Sequence, residues 1–113
     1  TFGKSGLIFG TEQAFINQRV AKFKCENCDS KYIYQLINSP RFKKYLNKIP
    51  TSSAQPNISN KDILRYKELI PDLDEQKKIG YFLTLFDSKI NFILKSKNNL
   101  VEFKRGLLQK MFI

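Results

Sequence analysis

The sequence predicts an α+β fold: short strands and helices over residues 1–73, then one long coiled-coil-forming α-helix over residues 74–113. Three observations lead to this prediction. Apolar runs bounded by glycines near the N-terminus are typical of strands. Apolar residues at helical spacing follow them, and a seven-residue apolar repeat fills the last third of the chain. With 113 residues, 42% of them hydrophobic, the chain has room for one small domain and an extension.

The pattern of the N-terminal region predicts that it forms short β-strands up to about residue 24. Leu7-Ile8-Phe9 is an apolar run between glycines, and residues 14–16 and 20–23 form a second stretch. A further short strand is predicted at Lys67–Pro71, where the proline ends it because proline has no N–H to donate to a sheet.

The middle of the chain predicts two short helices between residues 31 and 48, where apolar residues recur at helical spacing. Asp29 or Ser30 can cap the start. Since Pro40 interrupts the pattern, we expect one helix to end near Asn38 and a second to begin at the proline, which suits a first helical turn.

The last helix is predicted to begin after Pro71, because Asp72 and Glu75 have the spacing of a capping box, and Asp74 is the other candidate for its cap. It is preceded by a polar loop over residues 50–60 and by a short turn or helix at Asp62–Lys67.

The long helix carries an apolar seam that advances in alternating steps of four and three residues, a period typical of helices that pair with another helix. The alternative is a straight amphipathic helix folded back on its own domain. Lys97 and Lys104 occupy two seam positions, where lysine reduces stability but can fix register or partner choice. The residues that we predict to pair are Ile79, Leu83, Phe86, Ile90, Ile93, Leu100, Leu107 and Met111.

The net charge of +10 is concentrated between Lys31 and Lys67, where eight basic residues stand against one acidic residue. Such a local excess is typical of a surface that binds a polyanion such as nucleic acid. The alternative is a general richness in lysine that has no binding role.

No catalytic centre, metal site or cofactor is predicted. Without histidine there is no Ser–His–Asp set, and the acidic residues are scattered. Cys25-x-x-Cys28 would supply only half of a zinc site, so two ordinary thiols are expected there. Gly3-Lys4-Ser5 resembles the end of a P-loop, but an apolar run follows instead of a helix. We therefore prefer a glycine-rich loop that contacts a phosphate backbone over a nucleotide-binding enzyme.

Several motifs, taken in order, resemble the specificity subunit of type I restriction–modification systems. They are Phe15–Ala21, Gln55-Pro56-Asn57-Ile58-Ser59, Ile70-Pro71, Glu75-Gln76-Lys77-Lys78-Ile79 and the tail Phe103–Phe112. In that family each subunit carries two target recognition domains, each followed by a long helix, and the two helices pair antiparallel as a spacer. Each domain reads one half of a split DNA target. The subunit holds the methylation subunits and, through them, the restriction subunits, and has no catalysis of its own.

The resemblance implies that residues 1–73 are the C-terminal part of one target recognition domain and that residues 74–113 are its spacer helix. We expect a module that binds double-stranded DNA and a methylation subunit, and that forms a homodimer through the long helix. The alternative is a helix-pairing assembly module with little DNA affinity. Two cysteines and no long apolar run fit a cytoplasmic protein that does not enter a membrane.

The predicted DNA contacts combine cations for phosphates with amides that pair with adenine and an arginine that pairs with guanine. They are Lys4, Ser5, Asn17, Gln18, Arg19, Lys22, Ser52, Ser53, Gln55, Asn57 and Lys61. Arg41, Lys43 and Lys44 would give further phosphate contacts or a solvated basic face.

Overall fold

The computed structural model describes residues 4–7, 20–49 and 58–112. Their regular structure consists of helices: α1 Ser30–Asn38, α2 Pro40–Asn47, α3 Asn60–Leu64 and α4 Leu73–Met111. The chain divides into two compact units, Thr1–Tyr81 and Phe82–Ile113, which we call the first and the second unit. No helix in the described part of the chain has the length and apolar character needed to cross a membrane.

The predicted α+β fold is wrong, because the described residues contain no strand. The segments at residues 20–23 and Lys67–Pro71 have no regular secondary structure. A strand needs a neighbour to complete its hydrogen bonds, and neither segment has one in the described part of the chain. Leu69 is 96% exposed, so that segment buries no apolar face either. The strands predicted at residues 8–9 and 14–16 lie outside the described residues.

The two helices predicted on either side of Pro40 are confirmed. Asp29 caps α1, because its carboxylate accepts a hydrogen bond of 2.8 Å from the backbone N–H of Tyr32. Ser39 has extended backbone angles, as expected for a residue before proline. Its hydroxyl then caps α2 by accepting from the N–H of Phe42 at 3.2 Å.

An aromatic cluster of Phe42, Tyr45 and Tyr66 forms the core of the first unit. Phe42 is 6% exposed, and its ring packs edge-on against Tyr66 with the centroids 4.9 Å apart. Tyr45 lies 5.0 Å from Tyr66, and its hydroxyl donates a hydrogen bond of 2.6 Å to the carbonyl of Asp62. Edge-on aromatic pairs contribute about 0.5–1.5 kcal/mol beyond their buried area. The cluster therefore fixes how α2 is rotated and joins it to α3.

The short helix α3 begins two residues before the predicted Asp62–Lys67, because a capping box defines its start. Ser59 accepts a hydrogen bond from the N–H of Asp62, and the Asp62 carboxylate accepts one from the N–H of Ser59. The hydroxyl of Ser59 also donates to this carboxylate, and that bond is the main reason that the pKa of Asp62 lies below its usual value.

Of the two predicted caps of α4, Asp72 is confirmed, since it accepts a hydrogen bond of 2.9 Å from the N–H of Glu75. The helix begins at Leu73, one residue before the predicted segment 74–113. Next to Glu75, Gln76 is 3% exposed. Its Oε1 accepts from the N–H of Asp29 at 3.1 Å, and its Nε2 donates to the carbonyl of Pro71 at 2.9 Å. Gln76 thus links the first turn of α4 to the start of α1.

Gly80 brings the backbones of α4 and α1 into close approach within the first unit. A Cβ atom at this position would lie 2.6 Å from Oδ1 of Asp29 and 2.6 Å from the backbone N of Tyr32. Beside this contact, the ammonium of Lys31 lies 5.5 Å from the ring centre of Tyr81. There is therefore no room for any side chain at Gly80.

The second unit is formed by the rest of α4, which continues to Met111. The predicted long helix is therefore present, and its 39 residues correspond to a length of about 58 Å. The predicted pairing residues of the second unit are all exposed; Ile79, in the first unit, is half-buried.

Candidate nucleic-acid interface

Three exposed lysines, Lys43 and Lys44 of α2 and Lys48 at its C-cap, lie outside the aromatic cluster; we call them the α2 basic face. Their position follows from the helical period, because Phe42 and Tyr45 occupy the inward side. Lys48 was not among the predicted contacts. Its spacing of one turn from Lys44 is the sequence signal that would have found it.

The arginines of the same region are paired with carboxylates, whereas these lysines are not. A nitrogen of Arg41 lies 2.6 Å from Oε1 of Glu68, and one of Arg65 lies 3.6 Å from Oδ1 of Asp62. No carboxylate in the described part of the chain forms an ion pair with the α2 basic face. Like charges one helical turn apart destabilise a helix by about 0.2–0.5 kcal/mol, a repulsion that a bound polyanion would relieve.

Glu68 explains why the charge of Arg41 is already neutralised. The hydroxyl of Tyr66 donates to Oε2 of Glu68, and this bond, followed by the contact with Arg41, holds the pKa of Glu68 below its usual value. The same bond raises the pKa of Tyr66. Glu68 is therefore ionised at neutral pH, and the uncompensated charge of this region lies on the lysines.

A groove of about 430 Å³ brings together two segments that carry predicted DNA contacts. Lys22 lies in its wall, and Asn60 on the other side directly precedes Lys61 in α3. Phe23 and Leu64 give the groove exposed apolar surface, on which a nucleobase could stack. The groove is lined by Val20, Ala21, Lys22, Phe23, Asn60, Ile63 and Leu64.

Of the predicted DNA contacts, Lys4, Ser5, Lys22 and Lys61 lie in the described residues, and the three lysines are exposed. The hydroxyl of Ser5 donates a hydrogen bond of 2.8 Å to Oδ1 of Asn38, so the serine would have to release α1 before donating to a phosphate. All of these assignments stay predictions. Asn17, Gln18, Arg19, Ser52, Ser53, Gln55 and Asn57 lie outside the described residues.

The two cysteines are half-buried thiols. Burial, with a hydrogen bond to Cys28, raises the pKa of Cys25 to about 11. A thiol with that pKa is protonated at neutral pH and is a poor metal ligand or nucleophile. Within residues 4–7, 20–49 and 58–112, no group of three or more ligating side chains could hold a metal ion.

Sequence reasoning missed two residues that position this region, Gln76 and Gly80. Both face α1 from the first turns of α4, and they are four residues apart, which places them on one side of the helix. A polar residue and a glycine at that spacing, within an otherwise apolar pattern, are the signal for such a close contact.

Comparisons with known proteins agree with the motifs in the sequence. A family model described as the type I restriction modification DNA specificity domain matches residues 2–102. The type I restriction enzyme MjaVIII specificity subunit of Methanocaldococcus jannaschii is 32% identical over 99 residues. The match covers 86% of this chain but 23% of that protein, so the chain spans less than a quarter of its relative. No solved structure matches the chain.

Proposed function

The chain belongs to the type I restriction–modification DNA specificity family, and we propose that it is a DNA-binding module that recognises part of a split DNA target. Membership confirms the resemblance seen in the motifs, and a specificity domain is a recognition component and not a catalyst. The observation that carries the DNA-binding proposal is the α2 basic face, whose lysines are exposed and have no carboxylate partner among the described residues.

In this proposal the α2 basic face, Lys22 and Lys61 contact phosphates. Each phosphate that a protein neutralises releases condensed counterions, so the logarithm of the affinity falls with the logarithm of salt by about 0.9 per contact. Reading of the base edges is assigned to Asn17, Gln18 and Arg19, whose side-chain chemistry suits adenine and guanine.

The test is the salt dependence of duplex DNA binding, measured by fluorescence anisotropy on the 113-residue chain. The triple variant Lys43→Gln, Lys44→Gln, Lys48→Gln should lower the slope by about 2.7. A matched control, Lys95→Gln, Arg105→Gln, Lys110→Gln, removes the same charge from the second unit and should leave the slope unchanged.

Sequence preference is tested separately by selection from a pool of random duplexes. Enrichment of one half-site would support recognition, whereas equal retention of all sequences would leave only nonspecific charge. A wild-type chain without salt-dependent affinity would contradict DNA binding by this surface.

A second candidate function, a helix-pairing assembly module, is favoured by the exposed seam of α4. Phe86, Ile90 and Ile93 are about half exposed, although large apolar side chains at regular spacing are normally covered. We propose that α4 forms a homodimer with a second copy of the chain. Leu94, Val101 and Leu108 widen the stripe beyond a two-helix seam.

The extra width of this stripe supports the proposal that α4 also engages a methylation subunit and, through it, a restriction subunit. Pairing predicts a concentration-dependent mass of twice 13.2 kDa by sedimentation. The double variant Ile90→Asp, Ile93→Asp should stay monomeric. An unchanged mass in that variant would contradict pairing through this seam.

A further inference from the structure

Two lysines interrupt the apolar seam of the second unit. Between Leu83 and Leu107 the seam has eight positions, of which six are apolar and two are Lys97 and Lys104. Both lysines are exposed on α4. A charged residue at a seam position reduces the stability of a helix pair, so its presence calls for a role in choosing among possible pairs.

The surface around these lysines has the form that receives side chains from a facing helix. A shallow depression of about 420 Å³ is lined by Ile93, Ser96, Lys97, Leu100, Val101 and Lys104. Ile93, Ser96, Lys97 and Leu100 have the spacing i, i+3, i+4, i+7. Lys97, Leu100, Val101 and Lys104 repeat the same spacing one turn further along the helix. Four residues at that spacing form the hole that accepts one side chain in a coiled coil. The depression is therefore two consecutive holes, with Lys97 and Leu100 shared between them.

A parallel pair of α4 helices would bring like charges together inside the seam. In that orientation each seam residue faces its own copy, so Lys97 faces Lys97 and Lys104 faces Lys104 of the second copy. Each contact would combine charge repulsion with the cost of removing two ammonium groups from water.

An antiparallel pair separates the lysines. If the two-fold axis passes at Lys95, all eight seam positions are matched, and Lys97 faces Ile93 while Lys104 faces Phe86 of the second copy. The apolar stem of each lysine covers the opposing side chain while its ammonium reaches water. Lys104 also gains the face of an aromatic ring, and Phe86 is held for this by Phe82, whose centroid lies 5.0 Å away.

We infer that Lys97 and Lys104 determine the register of α4 pairing and place the two-fold axis at Lys95. In this register Ile93 of the second copy enters the first hole and Ile90 enters the second. The inference rests on the proposed homodimer and adds the residues that decide its geometry.

The test compares three glutamate variants by sedimentation equilibrium. Ile93→Glu and Phe86→Glu place a carboxylate opposite Lys97 and Lys104 of the second copy, so the dimer Kd should stay within about tenfold of wild type. Ile90→Glu places the carboxylate opposite the apolar Leu100 of the second copy, so the dimer Kd should rise by at least about 100-fold. Ile90 and Ile93 are a matched pair, the same residue at 52% and 58% exposure.

Other patterns would overturn the register and identify the correct one. A shift of one heptad in one direction spares only Phe86→Glu, a shift in the other direction spares only Ile93→Glu, and a parallel pair spares neither. A wild-type chain that remains at 13.2 kDa at all concentrations would contradict both the homodimer and this inference.

A charge exchange gives a second, independent readout. Ile93→Lys alone should weaken the dimer, because the introduced ammonium would face Lys97 of the second copy, and adding Lys97→Glu should restore it. Failure of the second substitution to restore the dimer, with helicity unchanged at 222 nm, would overturn the contact between these positions.

Discussion

The close approach at Gly80 gives a sharp test of how α4 docks on α1 in the first unit. In Gly80→Ala the new methyl group would lie 2.6 Å from both Oδ1 of Asp29 and the backbone N of Tyr32, which no Cβ atom tolerates. Overpacking of this kind costs about 1–3 kcal/mol. The two opposing atoms form the cap of α1, whose loss costs about 1 kcal/mol. Alanine regains about 1 kcal/mol in helix propensity. The expected net loss is about 1–3 kcal/mol.

Gly106→Ala is the matched control in the same helix, because a methyl group there has nothing within 4 Å. It should gain the propensity term alone and raise the helix signal at 222 nm. All five tyrosines lie in the first unit and the chain has no tryptophan, so tyrosine fluorescence reports unfolding of that unit. For a unit of this size the loss in Gly80→Ala corresponds to a fall in Tm of about 4–24 °C.

The result that would refute this reasoning is a tyrosine unfolding midpoint for Gly80→Ala equal to or above that of wild type. Such a midpoint would mean that the helices do not approach as closely as the structure shows. A fall of equal size in Gly106→Ala would also refute it, since the effect could not then be attributed to the contact with Asp29 and Tyr32.

Two further predictions follow from the titrating groups. Since the folded-state pKa of Glu68 is lowered, its contribution to stability is complete above its ordinary pKa of 4.5 and is lost as pH falls through the folded value. Glu68→Gln should therefore unfold at lower denaturant at pH 7 and show a flatter decline between about pH 5 and pH 3; an identical pH profile would contradict the role of the carboxylate. Because the pKa of Cys25 is raised to about 11, iodoacetamide should alkylate it far more slowly at pH 8 than a cysteine in an unstructured peptide, and faster as pH rises. Mass spectrometry measures the rate of alkylation. A rate equal to that of the cysteine in the peptide would contradict the burial of Cys25.

Elements encoded by local signals were predicted well. The end of α1, the start of α2 at Pro40 and the Asp72 cap of α4 each depend on residues within one turn, so the sequence displays them directly. Strands depend on a partner elsewhere in the chain, and Lys67–Pro71 shows that a short apolar run ending in proline is insufficient when that partner is absent from the described residues.

In the candidate site, too, local features were predicted and contacts between distant residues were not. The excess of basic residues was visible in the sequence, but which cations are neutralised was not. Arg41 and Glu68 are 27 residues apart, and their pairing depends on how the aromatic cluster places α2. The close approach at Gly80 likewise depends on helix docking, which no local pattern determines.

The two proposed roles use different surfaces, so they can be separated and then tested for cooperation. The α2 basic face lies in the first unit, and the seam lies on the part of α4 in the second unit. If two copies bind one duplex, the second binding event is intramolecular and avidity can exceed single-site affinity by about 10²–10⁴. Ile90→Glu should then lose most of this gain on a duplex with two half-sites, and its salt slope should fall by about half, because half as many phosphates are contacted. On a duplex with one half-site the variant and the wild type should bind alike. If Ile90→Glu and the wild type have equal affinity and equal salt slope on both duplexes, pairing through α4 contributes nothing to DNA recognition.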